Sequence, residues 1–250
     1  MKKTMIAALV AVAGLSGCVS NDTSGLLGAG MTAFKGITLS KAELQAQASL
    51  SAEQMDAQSK LSPASSRYSK RLAKLTRELT SIDGTPLNFA VYESDEINAF
   101  AMPDGTVRVY SGLMDVMDDA ELVAVIGHEI GHVKFEHSLN QFKTAYLTEA
   151  AKQAAVAAGG TVGSLASSQY GDIGTKFLSA QFSQQDELES DAYGVEVLCQ
   201  LGMNPYAAVR AQQKLMKHAG SGGGLFSSHP ATDTRIEKAQ QAAANASCQS

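Results

Sequence analysis

Apolar and polar positions divide the chain into distinct stretches. Met5 to Leu15 is an uncharged, mostly apolar run behind Lys2 and Lys3. It is too short to cross a bilayer and fits the hydrophobic segment of a secretory signal. Residues 19–38 are rich in Gly, Ser and Thr and predict a tether. Ser40 and Glu43 have capping-box spacing, which predicts a polar, Gln-rich helix. Pro63 suits the first position of a second helix. Tyr68, Leu72, Leu75 and Leu79 give that helix an apolar stripe, with Lys and Arg opposite. Asp83-Gly84 and Pro86 break it.

Leu87 to Tyr92 alternates and predicts a strand. Asn98–Ala101 and Thr106–Tyr110 flank the turn Pro103-Asp104-Gly105 and predict a hairpin. Asp118, with Glu121 three residues later, predicts a helix start; Leu122, Val125, Ile126 and Ile130 form its buried face. Residues 148–168 are rich in Ala and Gly, but Lys152, Gln153 and several Ser and Thr argue against a membrane span. The Gly159-Gly160 break predicts a helix–loop–helix excursion. Further helices are expected around Glu187–Cys199, from Asn204-Pro205 to about His218, and from about Thr232, with a flexible glycine loop over 220–224. Together these elements predict an α+β fold, mainly helical, with a small antiparallel sheet beside the helix that follows Asp118.

The 250 residues suit one domain with appendages. With 44% hydrophobic and 18% charged residues, the chain can build a core. Its net charge of −5 disfavours nucleic acid as a partner, because such binding neutralises phosphates. Leu15-Ser16-Gly17-Cys18 resembles the bacterial lipobox, in which the signal is cut before a lipidated Cys. The expected organisation is a signal peptide over 1–17, a lipidated Cys18 and tether over 18–38, and a folded domain over 39–250. Val19, where Asp would favour inner-membrane retention, points to the outer membrane facing the periplasm. Three cysteines are too few for a disulfide scaffold. Cys199 and Cys248 remain after cleavage and could form a bridge in an oxidising compartment, but sequence does not give their separation.

His128-Glu129-Ile130-Gly131-His132 lies in the helix that follows Asp118. Positions i and i+4 share one helix face, so both imidazoles project together and can hold one Zn²⁺. Glu129 stands beside that face and suits a general base. A catalytic zinc needs a third protein ligand and an open position. His137, five residues past His132, falls on roughly the opposite face of a continued helix and is expected to be a helix-end or packing histidine. Phe135 and Ser138 stand where the metzincin pattern needs Gly and His. The leading third ligand is Glu187. Asp191, one turn on, can accept from the free N–H of a ligand imidazole. Glu189 is the competitor, about 200° around the helix from Glu187.

These stretches resemble the gluzincin metallopeptidase family that includes HtpX, the CAAX prenyl protease and the Oma-type proteases. The resemblance also rests on Ile97–Ala101, Gly112-Leu113, Phe182-Ser183, Gly202–Pro205, His229-Pro230 and Arg235-Ile236, and it covers roughly residues 65–240. It implies a zincin-like fold, one zinc on His128, His132 and Glu187, and Glu129 as the base. It places a His-Pro motif at the edge of the cleft, which makes His229 the first candidate for the oxyanion donor, with Arg235 and Tyr193 as alternatives. His229 could equally be a turn residue held by Pro230, or a latch that fills the open zinc position. The strand through Asn98, Ala99 and Phe100 is a candidate edge for extended peptide substrates. The implied activity is endopeptidase action on unfolded or misassembled envelope proteins. The alternatives are a zinc-containing chaperone with weak or latent activity, and a structural zinc lipoprotein.

Overall fold

Three helices start on the same device. Ser40, Asp118 and Ser183 each accept a hydrogen bond from the amide three residues on, and the acidic residue there (Glu43, Glu121, Asp186) accepts from the cap's own amide. Two of the amides left open at each helix start are thereby satisfied. The computed structural model describes residues 23–158, 182–218, 225–230 and 232–248. In chain order the helices are α1 (Thr23–Thr38), α2 (Lys41–Gln58), α3 (Arg67–Leu75), α4 (Ser111–Val116), α5 (Asp119–Lys134), α6 (His137–Ala157), α7 (Gln184–Gln200), α8 (Ala207–His218), α9 (Leu225–Ser228) and α10 (Asp233–Asn245). The strands are β1 (Ser81–Ile82), β2 (Thr85–Pro86), β3 (Asn88–Tyr92), β4 (Ala99–Ala101) and β5 (Thr106–Tyr110).

α5 is the spine. Leu122, Ile126 and Ile130 are almost fully buried against Val107 and Val109 of the sheet and Val197 and Leu198 of α7. Each such side chain contributes roughly 1.5–3 kcal/mol relative to exposure. Glu121 is only 1% exposed, and Lys214 of α8 meets it at 2.6 Å. The residue that caps α5 therefore also ties α8 to it.

Four expectations are corrected. The sheet is mixed: its order is β3-β5-β4, with β4 antiparallel and β3 parallel to β5. Alternation gives a strand's two faces but not its direction, and the β3–β5 pairing is not a hairpin. The stretch read as a tether is helical from Thr23, because α1 packs on α6. Pro63 does not open α3. It lies in a turn, its carbonyl accepts from the Ser66 amide, and Ser66 caps a helix that starts at Arg67 and ends before Leu79. Asn204 and Pro205 form a turn, with Asn204 Oδ1 accepting from the Tyr206 amide, and α8 begins at Ala207.

Cys199 and Cys248 are bonded, with Cα atoms 4.7 Å apart, so the end of α7 is tied to the segment after α10. No helix among the described residues is long and apolar enough to cross a membrane. The signal segment, Cys18, the second half of the 148–168 excursion and the glycine loop 220–224 lie outside the described residues.

Candidate metal centre and active site

Small residues set the distance between the two helices that build the site. A Cβ on Gly131 would stand 2.9 Å from the Ser190 Cα, and one on Gly194 would stand 2.8 Å from the Ala124 carbonyl oxygen. α5 and α7 are therefore in backbone contact, and Glu187 and Asp191 of α7 reach the histidines of α5.

Four ligating groups converge. His128 Nε2 lies 3.1 Å from His132 Nε2 and 3.2 Å from His229 Nδ1. Glu187 lies 3.6 Å from each of the two Nε2 atoms and 2.8 Å from His229 Nδ1. All four residues are buried, and their donor atoms lie within 4.8 Å of one another. Ligands about 2.0–2.1 Å from a tetrahedral zinc stand roughly 3.3–3.4 Å apart, so the set fits that ion. Burial lowers the His132 pKa, aided by the neighbouring imidazoles, and keeps the ring in its neutral, ligating form. Burial raises the Glu187 carboxyl, but the His229 hydrogen bond and nearby cations outweigh it and hold it ionised.

Asp191 organises the rear of the site. It accepts from His128 Nδ1 at 2.9 Å, from Gln212 Nε2 of α8 at 2.9 Å, and from Arg235 Nε and Nη2 at 2.7 Å each. Burial opposes its charge, yet Arg235 and His128 keep its pKa far below the usual carboxylate range. The His128 ring is thereby fixed with Nδ1 protonated and Nε2 free for metal. Gln212 gave no sequence signal, since a lone Gln on a helix is unremarkable.

His137 is not on the far face of α5. Glu136 takes a left-handed conformation (φ 56°), α5 ends at Lys134, and the chain turns so that α6 starts at His137. His137 Nδ1 faces His132 Nδ1 at 3.0 Å, and its Nε2 lies 3.3 Å from Glu189 Oε2. With His132 Nε2 turned to the other donors, His132 Nδ1 donates to His137, whose Nε2–H donates to Glu189. Glu189 thus ends a chain of hydrogen bonds behind the site and does not join the donor set. Phe182, just before the cap of α7, stacks on His132 (ring centroids 3.9 Å) and His229 (5.3 Å) and roofs the site.

The other candidate donors are placed differently from one another. Arg235 is buried and spends its guanidinium on Asp191, on the Pro230 carbonyl and on Glu187, whose Oε2 lies 2.6 Å from Nη1. It holds Asp191 and Glu187 in place from behind the donor set. Tyr193, two residues past Asp191 on α7 and so about 200° around it, packs its ring against Phe135 and Lys134. It does not join the site. His229 sits among the metal donors through Nδ1, and its Nε2 lies 3.7 Å from Glu129 Oε1.

Glu129 is 2% exposed, and its Oε1 has no hydrogen-bond partner among the described residues. Burial raises its pKa against the pull of His229 and His128, as suits a carboxylate that takes up a proton. Beside it runs β4. The Tyr110 amide donates to the Asn98 carbonyl, and the Met102 amide to the Thr106 carbonyl. Residues of an antiparallel strand alternate in the direction of their backbone groups. The amides and carbonyls of Ala99 and Ala101 therefore face the free side of β4, and the Ala101 amide lies by Glu129. Asn98 itself is fixed by its carbonyl at the start of the strand, while Phe100 packs on Tyr92 and Tyr110.

Three His and a Glu grouped so that they could hold a metal, with a buried carboxylate and the edge strand β4 beside them, suit the hydrolysis of peptide bonds. Comparison with known proteins agrees. The chain is 40% identical over 237 residues to metalloprotease LoiP of Escherichia coli, covering 94% of both proteins. It is 38% identical over 240 residues to metalloprotease YcaL of the same organism, again covering 94% of each. It is 31% identical over 268 residues to the beta-barrel assembly-enhancing protease of Yersinia pestis, covering 96% of this chain and 53% of the other. Residues 64–243 match the model of peptidase family M48, and the chain belongs to that family.

Proposed function

We propose that this zinc-dependent metalloendopeptidase cuts unfolded or misassembled proteins of the bacterial cell envelope, held by a lipid on Cys18 at the periplasmic face of the outer membrane. The observation that carries the substrate class is the place of β4 as the edge strand of the sheet, beside Glu129. An extended peptide added there hydrogen-bonds to Ala99 and to the Ala101 carbonyl and lays its backbone along the donor set. An unfolded chain offers such segments along its length, whereas a folded protein has most of its backbone groups paired. The compartment rests on the lipobox-like Leu15–Cys18 and on the bonded pair Cys199–Cys248, which suits an oxidising environment. One relative is named a beta-barrel assembly-enhancing protease, which agrees with an envelope role.

His128, His132 and Glu187 would hold the metal, with His229 beside them. Zinc, when bound, activates water and polarises a peptide carbonyl. Glu129 takes the proton of the attacking water at its unpartnered Oε1 and returns it to the leaving amine. Asp191 and Arg235 keep His128 and Glu187 oriented throughout. The outward backbone groups of Ala99 and the Ala101 carbonyl fix the substrate backbone.

A second reading is favoured by one observation: His229 supplies a fourth donor and Phe182 covers it. In this arrangement the fourth position is taken and the enzyme is latent, as a chaperone-like protein with regulated activity would be.

The test is digestion of casein by the processed protein and by its Glu129→Gln form. Cleavage by the first alone establishes Glu129 as the base. Cleavage by both assigns the activity to a contaminant. Cleavage by neither favours the latent reading.

A further inference from the structure

α1 turns its faces the opposite way from an ordinary surface helix. Its small residues meet the protein: Ala29 and Gly36 are buried, and Gly25 and Thr32 are half-buried on the same face. A Cβ on Gly36 would stand 2.8 Å from the Tyr146 Cβ of α6, so the two helices approach as closely as a glycine allows. Thr32 Oγ1 donates to Gln153 Oε1 of α6 at 3.1 Å. The large apolar residues point outward. Leu27, Met31, Phe34 and Ile37 are 68%, 68%, 67% and 70% exposed, and Leu26 is 43% exposed. At 100° per residue these five fall within an arc of about 140°. Lys35 is the helix's only charged residue, and it is turned to Glu43 at 3.1 Å. A contiguous apolar stripe of this kind marks a contact surface.

We infer that this stripe lies on a lipid surface, with α1 flat in the interface. The inference rests on the reading that Cys18 is lipidated. Four residues separate Cys18 from Thr23. Even fully extended, that link keeps the start of α1 within about 18 Å of the lipid. Anchor and stripe are therefore contiguous, and a helix embedded by one apolar face supplies the second attachment that stable membrane binding needs. The helix carries no acidic side chain to repel anionic headgroups. Because α1 packs on α6, and α6 begins at the His137 that touches His132, docking α1 fixes the orientation of the active site above the bilayer.

The chain has no Trp, so one introduced residue is the sole reporter. The full chain, made with its signal in a bacterial host, carries Phe34→Trp and is reconstituted in phosphatidylethanolamine–phosphatidylglycerol vesicles with and without brominated acyl chains. Tyr206→Trp, on an exposed site outside α1, is the reference. The expected result is a blue shift and bromine quenching at position 34, with neither at 206. Vesicle-bound protein whose Phe34→Trp emission stays aqueous overturns the docking while leaving the anchor intact. A Cys18 without acyl groups by mass spectrometry removes the anchor; docking then stands only if added vesicles still shift and quench Phe34→Trp. A blue shift without quenching, with a dimer mass in light scattering, assigns the stripe to a second copy and overturns the inference.

Discussion

His137 Nδ1 stands 3.0 Å from His132 Nδ1, and this contact sets which nitrogen of His132 is free for metal. Replacing His137 by Ala removes the acceptor and lets the His132 ring turn. Zinc affinity is expected to fall about 10–100-fold, as for other groups that orient ligand histidines. The equilibrium division of zinc between the protein and a chelator of known affinity measures it. An unchanged division would reduce His137 to a packing residue.

Gly194→Ala places a methyl against the Ala124 carbonyl, where a Cβ would stand at 2.8 Å. Backbone cannot yield as a side chain end does, so α5 and α7 must separate. A loss of about 1–3 kcal/mol is expected from the overpacking. Denaturant melts should show it, together with weaker zinc retention, because the two helices carry separate ligands.

His229→Ala opens the fourth donor position. Peptidase activity is expected to rise by up to about tenfold, the factor by which a closed state held by nine molecules in ten depresses turnover. Casein digestion by parent and variant decides the matter. Abolished activity would instead make His229 an oxyanion donor.

Asp56 pairs with buried Arg108 of β5 through Nε at 2.9 Å and Nη2 at 2.8 Å, and accepts from the Tyr92 hydroxyl at 2.7 Å. Asp56→Ala leaves the guanidinium without its anion and should cost about 2 kcal/mol. The Arg108 hydrogen bonds hold the Asp56 pKa below its ordinary value, against partial burial. The stabilisation is therefore complete above the unfolded pKa and is lost as pH falls through the lower, folded one. Urea melts should show a constant gap between parent and variant from neutrality down to about pH 4, and a narrowing gap below it.

The sequence made some of this site legible and hid the rest for physical reasons. Periodicity and capping placed His128 and His132 on one face of α5. The i,i+4 spacing put Glu187 and Asp191 together on α7. The sequence does not place His137, because nothing local announces that Glu136, a non-glycine, adopts positive φ. The Gly, Ser and Thr content of α1 predicts a tether because it disfavours a helix in isolation. Packing on α6 reverses that, and the same glycines provide the contact. The direction of β3 depends on a non-local pairing that alternation along one strand does not encode.

Peptide addition at β4, as proposed, also bears on how this protease would choose its targets. A strand edge grips amides, which every polypeptide carries, so it offers little purchase on side-chain identity. Selection then passes to the folding equilibria of the proteins around it. Where reclosing outpaces cutting, a target is cleaved in proportion to the fraction of time it spends open. Each ~1.4 kcal/mol of stability lost by a neighbour raises its cleavage about tenfold with no change in the enzyme.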